Sequence, residues 1–94
     1  PPAGPVVAED RREVEAARIA PAGAAVSGRM MDTAGTPGLA KEVSDVLYAT
    51  AMMAEDPSLL EAAEGLVRDR GTPAPRAVYE AAARFVAALQ AAGG

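Results

Sequence analysis

Apolar residues recur every three or four positions along most of this chain, the spacing that places them on one face of an α-helix. The pattern is clearest over residues 36–54, 57–70 and 74–91. No stretch alternates with period two or is rich in β-branched residues, so the sequence predicts no strand. The expected fold is therefore all-α.

Two of these helices begin with the same signal, a polar residue followed by proline: Thr36 precedes Pro37, and Asp56 precedes Pro57. A side-chain oxygen at such a position accepts a hydrogen bond from the first turn, and proline lacks the N–H that this turn leaves unpaired. Gly71 is expected to end the third helix. The pattern thus predicts helix starts at Pro37 and Pro57.

The first helical stretch is expected at residues 8–34, and Pro21 falls near its middle. Proline inside a helix removes a backbone hydrogen bond and clashes with the preceding turn, at a cost of about 3 kcal/mol. We therefore expect a helix kinked or broken at Pro21. Its predicted inward face consists of Val14, Ala17, Ala24, Gly28 and Met31. The four helices together predict an antiparallel bundle, with residues 1–6 as a linker.

Composition excludes several classes of function. The 94 residues correspond to one small domain and contain no cysteine and no histidine, so disulfides, thiolate metal sites and the commonest general base are ruled out. The net charge of −4 argues against nucleic acid or an anionic membrane as partner. The chain begins without methionine, and we expect that it was excised from a longer protein.

Six acidic residues lie between Lys41 and Glu64, a stretch that contains no arginine. The acids are Glu42, Asp45, Glu55, Asp56, Glu61 and Glu64. They form either a solvated surface or a docking surface for a basic partner. Met52 and Met53 either fill gaps between alanines or form an apolar patch with an acidic rim. A metal site from Glu42, Asp45 and Asp56 has no nitrogen ligand and no loop to enclose an ion.

One segment permits a different function. "DPSLLEAAE", residues 56–64, resembles the signature of acyl and peptidyl carrier proteins, in which a serine carries phosphopantetheine. Here Pro57 separates Asp56 from Ser58, whereas that family needs the two adjacent. Ser58 is nevertheless the modification site that this alternative predicts. A helical packing domain without a partner of its own is a further alternative.

The segment "VSDVLYATAMMAEDPSLL", residues 43–60, resembles the helical domain of enzyme I of the bacterial sugar phosphotransferase system, the phosphoenolpyruvate–protein phosphotransferase. "APRAVYEAAARFVAAL", residues 74–89, is similar to the next helix of that family. The positions that match the family pattern in the first segment are Val46, Leu47, Met52, Met53, Glu55, Asp56, Pro57 and Leu59.

This resemblance implies a recognition domain inserted into an α/β swivelling domain, within a cytoplasmic enzyme. The family's helical domain binds the histidine-containing phosphocarrier protein, HPr. The histidine that takes phosphate from phosphoenolpyruvate lies in the swivelling domain, and a further barrel domain binds phosphoenolpyruvate and magnesium and forms the homodimer. Without a histidine, this chain is expected to be non-catalytic and to hold no cofactor itself.

The resemblance also implies which side chains face HPr. An apolar patch from Val46, Met53 and Leu59 is expected to contact apolar residues of the carrier, while Glu42 and Asp56 attract its basic residues. The full predicted partner-binding set is Glu42, Val46, Met52, Met53, Asp56, Leu59 and Leu89.

Overall fold

The structure is a computed structural model that describes residues 6–93. A 3-10 turn, Glu9–Arg11, precedes five helices: α1 (Arg12–Ala16), α2 (Ile19–Ala34), α3 (Lys41–Met53), α4 (Pro57–Arg70) and α5 (Ala74–Gly93). No strand occurs within this described part of the chain, and the all-α class is confirmed. The predicted linker lies outside the described residues except for Val6. The antiparallel arrangement stays a prediction.

The first predicted helix is divided at Ala17 and Arg18, one turn before Pro21. Pro21 instead lies in the first turn of α2, where a backbone N–H has no partner within the helix, so its missing donor costs little there. The predicted kink or break is therefore not found at Pro21.

The predicted inward face of this region is wrong. Val14 and Met31 are 69% and 41% exposed, and Ala17, Ala24 and Gly28 are exposed as well. The prediction extended one helical register from Val14 to Met31, but the break at Ala17 and Arg18 changes that register. The buried residues of α1 and α2 are Ala16, Ile19, Gly23, Val26, Ser27 and Ala34.

The helix α4 begins and ends where the sequence predicts. The Asp56 side chain accepts a hydrogen bond from the backbone N–H of Ser58 at 2.8 Å, and Pro57 is the first helical residue. Gly71 ends the helix in the left-handed conformation, with φ of 69°. This conformation suits glycine because it has no Cβ to clash with the backbone.

The predicted start of α3 is wrong. Thr36 and Pro37 belong to the loop that precedes it, and α3 begins at Lys41 after Ala40. The loop closes with a hydrogen bond from the Leu39 N–H to the Thr36 carbonyl oxygen at 3.3 Å. A polar residue before proline is also favoured in turns, and here the turn is what forms.

The core lies between α2, α4 and α5. Helix α2 packs against α3 and α5, while α4 packs against α5 and α1. The largest fully buried side chains are Ile19, Val26, Leu59, Val67 and Val78, and none of them belongs to α3. Helix α3 therefore lies at the edge of the core and is held mainly by α2.

The turn between α4 and α5 is held by the first residues of the described chain. The Val7 N–H donates to the Gly71 carbonyl oxygen at 2.7 Å. The Arg12 guanidinium donates to the carbonyl oxygens of Val7 and Arg68, both at 3.1 Å. A Cβ at Gly71 would lie 2.6 Å from the Val7 carbonyl oxygen, so a side chain does not fit.

Helix α5 is capped from α1. The Glu15 carboxylate accepts a hydrogen bond from the Ala74 backbone N–H at 2.7 Å and another from Arg18 at 3.3 Å. An acid at a helix N-terminus satisfies an unpaired donor and interacts favourably with the helix dipole. The hydrogen bond to Glu15 therefore holds the first residue of α5 in place. The same helix carries Leu89 further along the chain.

Candidate functional site

An open groove of about 450 Å³ lies where the end of α3, the start of α4 and the later turns of α5 meet. Its lining residues are Met53, Asp56, Ser58, Phe85, Ala88 and Leu89. Most of this lining is apolar, and Asp56 is its one charged residue. Such a groove can accept an apolar side chain while the carboxylate at its edge attracts a neighbouring cation.

The groove brings together three of the residues that the sequence predicts for partner binding. Met53 comes from the end of α3, Asp56 from the N-cap of α4, and Leu89 from α5. Leu89 is 61% exposed, so its side chain is accessible to a partner. These residues are far apart along the chain but share one surface of the fold.

Three further predicted residues lie on the exposed part of α3. Val46 is 51% exposed, Met52 is 72% exposed, and Glu42 is exposed. At 100° per residue, Glu42, Val46 and Met53 fall on one side of the helix, while Met52 is rotated away from Met53. Glu42 and Val46 therefore lie on the same side of α3 as Met53, which lines the groove, whereas Met52 does not line it.

Leu59 does not belong to the surface on which the family resemblance places it. Its side chain is fully buried, in the same cluster as Ala63, Leu66 and Val67. These residues recur at helical spacing along the inward face of α4. A partner cannot touch Leu59 without unfolding α4, so its effect on the groove is to hold α4 in place.

Sequence reasoning missed Phe85 and Ala88 as lining residues. Phe85 packs against the core and also lines the groove. The signal that could have found both is their spacing, since Phe85, Ala88 and Leu89 lie at positions i, i+3 and i+4 of α5. The groove is formed by the edge of the apolar face of α5, next to the point where α3 ends.

Asp56 caps α4 and also lines the groove. Its Oδ1 accepts the Ser58 N–H at 2.8 Å, which caps α4, while the residue remains exposed at the groove. An acid at this position is favoured by the helix N-terminus, and it also gives the groove a negative edge. The hydrogen bond that caps α4 therefore also holds the Asp56 carboxylate at the groove.

The acids of α3 differ in their surroundings. Asp45 forms an exposed ion pair with Lys41, with Nζ and Oδ2 2.9 Å apart. The hydrogen bond to Asp45 and the charge of Asp45 raise the pKa of Lys41. The pair offsets the charge of Asp45, which leaves Glu42 and Asp56 as the predicted acids facing a partner.

Ser58 is exposed at the groove, in the first turn of α4. Pro57 separates it from Asp56, and its backbone N–H is the donor to the cap. This is the ordinary hydrogen bonding of a helix start, and it requires no role for the Ser58 hydroxyl.

Two further findings bear on the type of site. Within residues 6–93, no three histidine, cysteine or acidic side chains are grouped so that they could hold a metal ion. In the same range, no helix has the length and apolar character needed to cross a lipid bilayer.

Comparison with known proteins finds one matching family model and a similar curated protein. The family model described as PEP-utilising enzyme, N-terminal, matches residues 1–94. The chain is 42% identical over 93 residues to a phosphoenolpyruvate-protein phosphotransferase of Streptomyces coelicolor. That match covers 99% of this chain and 16% of the relative. No solved structure matches the chain.

Proposed function

The chain belongs to the family of N-terminal domains of PEP-utilising enzymes, and from this membership we propose that it is the carrier-binding helical domain of a phosphoenolpyruvate-protein phosphotransferase. Its role is to dock HPr, so that a phosphoryl group passes from a histidine elsewhere in the enzyme to the carrier during sugar uptake. The proposed setting is a cytoplasmic, homodimeric enzyme, whose magnesium and phosphoenolpyruvate bind outside this chain.

The observation that supports docking is the groove itself, which unites Met53, Asp56 and Leu89 from three helices. A recognition function requires no ionisable catalytic group, and this chain has no histidine that could carry phosphate. The complementary partner surface has apolar side chains beside basic ones. That combination matches the carrier proposed from the family resemblance.

The two kinds of residue have different roles in binding. Burying an apolar side chain such as Met53 or Leu89 contributes about 1.5–3 kcal/mol when the burial is complete. Charges at the edge, here Glu42 and Asp56, mainly raise the association rate and fix the orientation of the partner. We therefore expect Met53 to affect the dissociation rate and Glu42 to affect the association rate.

The variant Met53→Asp tests this proposal. It places a charge in the apolar groove, where desolvation disfavours binding, and it is expected to abolish HPr binding while leaving helicity unchanged. Calorimetric titration measures binding, and circular dichroism measures helicity.

The control is Met31→Asp, a chemically identical change on α2. Met31 lies one turn before Ala34, whose carbonyl oxygen accepts a hydrogen bond from Ser44 near the start of α3. The control therefore lies at the opposite end of α3 from the groove and should bind normally. Normal binding by Met53→Asp would show that the groove is not the docking site.

The carrier-protein alternative predicts a different outcome. A phosphopantetheinyl transferase and coenzyme A would add phosphopantetheine to Ser58, and the intact mass of the chain would rise accordingly. The proposed docking function predicts no such addition.

A further inference from the structure

We propose that Gly23 of α2 is a positioning residue for the docking groove. It permits a close approach between α2 and the corner that joins α3 to α4, defined here as residues 53–58 and called the α3–α4 corner. This inference rests on the proposed function, since its consequence is measured as affinity for HPr. Gly23 does not touch the partner itself and acts through the backbone of Ala54.

The close approach is visible in the space around Gly23, which is buried. An ideal Cβ on this residue would lie 2.6 Å from the Ala54 carbonyl oxygen and 2.8 Å from Cδ2 of Leu60. Real Cβ atoms essentially never approach other atoms below 3.0 Å. Leu60 can rotate away, but the Ala54 oxygen belongs to the backbone. A side chain at position 23 must therefore displace α2 or the corner.

The corner is the part that moves. On the α2 side, Ile19 and Val26 flank Gly23 and are among the largest fully buried side chains of the protein. On the other side, Ala54 is fully buried, but within α3 only Ala51 is buried. A closely packed interior resists displacement more than the end of a helix with one small buried side chain. We therefore expect the strain to fall on the end of α3.

Movement of Ala54 is passed directly to the groove. Ala54 follows Met53, and the Asp56 N–H donates to the Met53 carbonyl oxygen at 3.0 Å, closing the corner into a turn. Met53 and Asp56 thus move together with Ala54. Phe85 and Leu89 belong to α5 and do not move with Ala54. The two sides of the groove therefore move apart or shift relative to each other.

The helix α2 also provides a matched control. Gly28 lies on the same helix, is exposed, and would have no atom within 4 Å of an added Cβ. Both Gly23→Ala and Gly28→Ala gain helix propensity in the same helix. They differ in whether the methyl group meets the corner.

The test is a titration of isotopically labelled chain with unlabelled HPr, followed by amide NMR. We expect Gly23→Ala to bind about tenfold more weakly, comparable to the loss of one well-packed contact. In the free variant, the amide shifts of residues 53–58 should change more than in Gly28→Ala, which should bind with unchanged affinity. A purely structural role would lower stability without changing the affinity of the folded chain. Wild-type affinity in folded Gly23→Ala would overturn the proposal.

The variant Leu60→Val covers the case in which Gly23→Ala does not fold. Combined with Gly23→Ala, it relieves the side-chain contact and leaves the backbone contact, so the double variant should fold and retain the weaker binding. Leu60→Val alone should bind normally. A double variant that does not fold would assign Gly23 to folding and overturn the positioning role.

Failure of the proposed function gives a different result. In that case the wild-type chain would not bind HPr at all, and there would be no HPr affinity to compare between the wild type and the variants. The shifts of residues 53–58 in the free Gly23→Ala chain still test whether Gly23 sets the corner. Absence of those shifts overturns the inference whatever the partner is.

Discussion

The helices α3 and α4 adjoin the same corner but are held in opposite ways. Helix α4 is capped by Asp56, ends at Gly71 in a left-handed conformation, and has four buried residues. Helix α3 follows Ala40, which makes no side-chain capping hydrogen bond, and Ala51 is its only buried residue. One helix secures the core, and the other displays apolar side chains to solvent.

This difference indicates how a small domain can combine stability with recognition. Apolar side chains used for binding cannot also be buried in the core, so the element that carries them contributes less to stability. Here α5 supplies one side of the groove, and the α3–α4 corner supplies Met53, Asp56 and Ser58 on the other side. The local stability of α3 then depends mainly on its packing against α2, which includes the hydrogen bond from Ser44 to the Ala34 carbonyl oxygen.

The largest effect is expected when the same kind of truncation is made in both helices. Leu59→Ala removes a fully buried side chain of α4 and should lower the free energy of unfolding by about 2–5 kcal/mol. Met52→Ala removes an exposed one from α3 and should change it by less than about 0.5 kcal/mol. Urea denaturation measures both. Equal losses would mean that α3 is as important to the core as α4.

A second comparison concerns Gly38 and Gly71, which both have a positive φ. Gly71→Ala should destabilise the fold by about 1–3 kcal/mol, because the left-handed conformation is strained and the added Cβ meets Val7. Gly38 also has a positive φ, but no atom lies within 4 Å of its added Cβ. Gly38→Ala should therefore cost less, as measured by thermal denaturation. A larger loss of stability in Gly38→Ala than in Gly71→Ala would show that the close contact between position 71 and Val7 does not set the size of the effect.

The sequence predicted α4 better than α3, and the reason is physical. At α4, cap, proline, apolar period and terminal glycine all indicate one helix, and the structure has these features. Around α3, Thr36 and Pro37 satisfied the rule for a helix start but equally fit a turn. The chain formed the turn, and local chemistry alone did not distinguish the two.

The site was predictable to a similar extent. The resemblance identified Met53, Asp56 and Leu89, which the groove unites, and it also included Leu59, which is buried. A family pattern gives positions along the chain but does not say which apolar positions are packed beneath the surface. The partners of Gly23 were not predictable either, because a close approach between helices depends on tertiary packing.

Asp56 caps α4 and is also proposed to attract HPr, and changing it is expected to have a smaller effect on stability. Asp56→Ala loses the cap of α4 and should cost about 1 kcal/mol of stability, whereas Asp56→Asn keeps a capping oxygen and should cost little. Both variants remove the charge, so both should slow association with HPr at low salt. Stopped-flow mixing and urea denaturation separate these effects. If Asp56→Asn associated as fast as wild type, its charge would have no part in docking.

The smallest effect is expected at Lys41. Its pKa is raised in the folded chain by Asp45, so the contribution to stability is present below the unfolded-state pKa and is lost as pH rises through the folded-state value. The wild-type chain should therefore be marginally more stable than Lys41→Met at neutral pH, and the two should converge as the pH rises through the raised pKa of Lys41. Urea midpoints at neutral and at strongly alkaline pH test this. A difference that grew with pH would contradict the assigned direction.

The most direct test of docking at the groove is the amide NMR titration of the labelled wild-type chain with unlabelled HPr. Docking there predicts shifts confined to the exposed side of α3, the α3–α4 corner and residues 85–89, with the rest of the spectrum unchanged. A folded chain that shows no shifts at high carrier concentration, or shifts centred away from the groove, would contradict it.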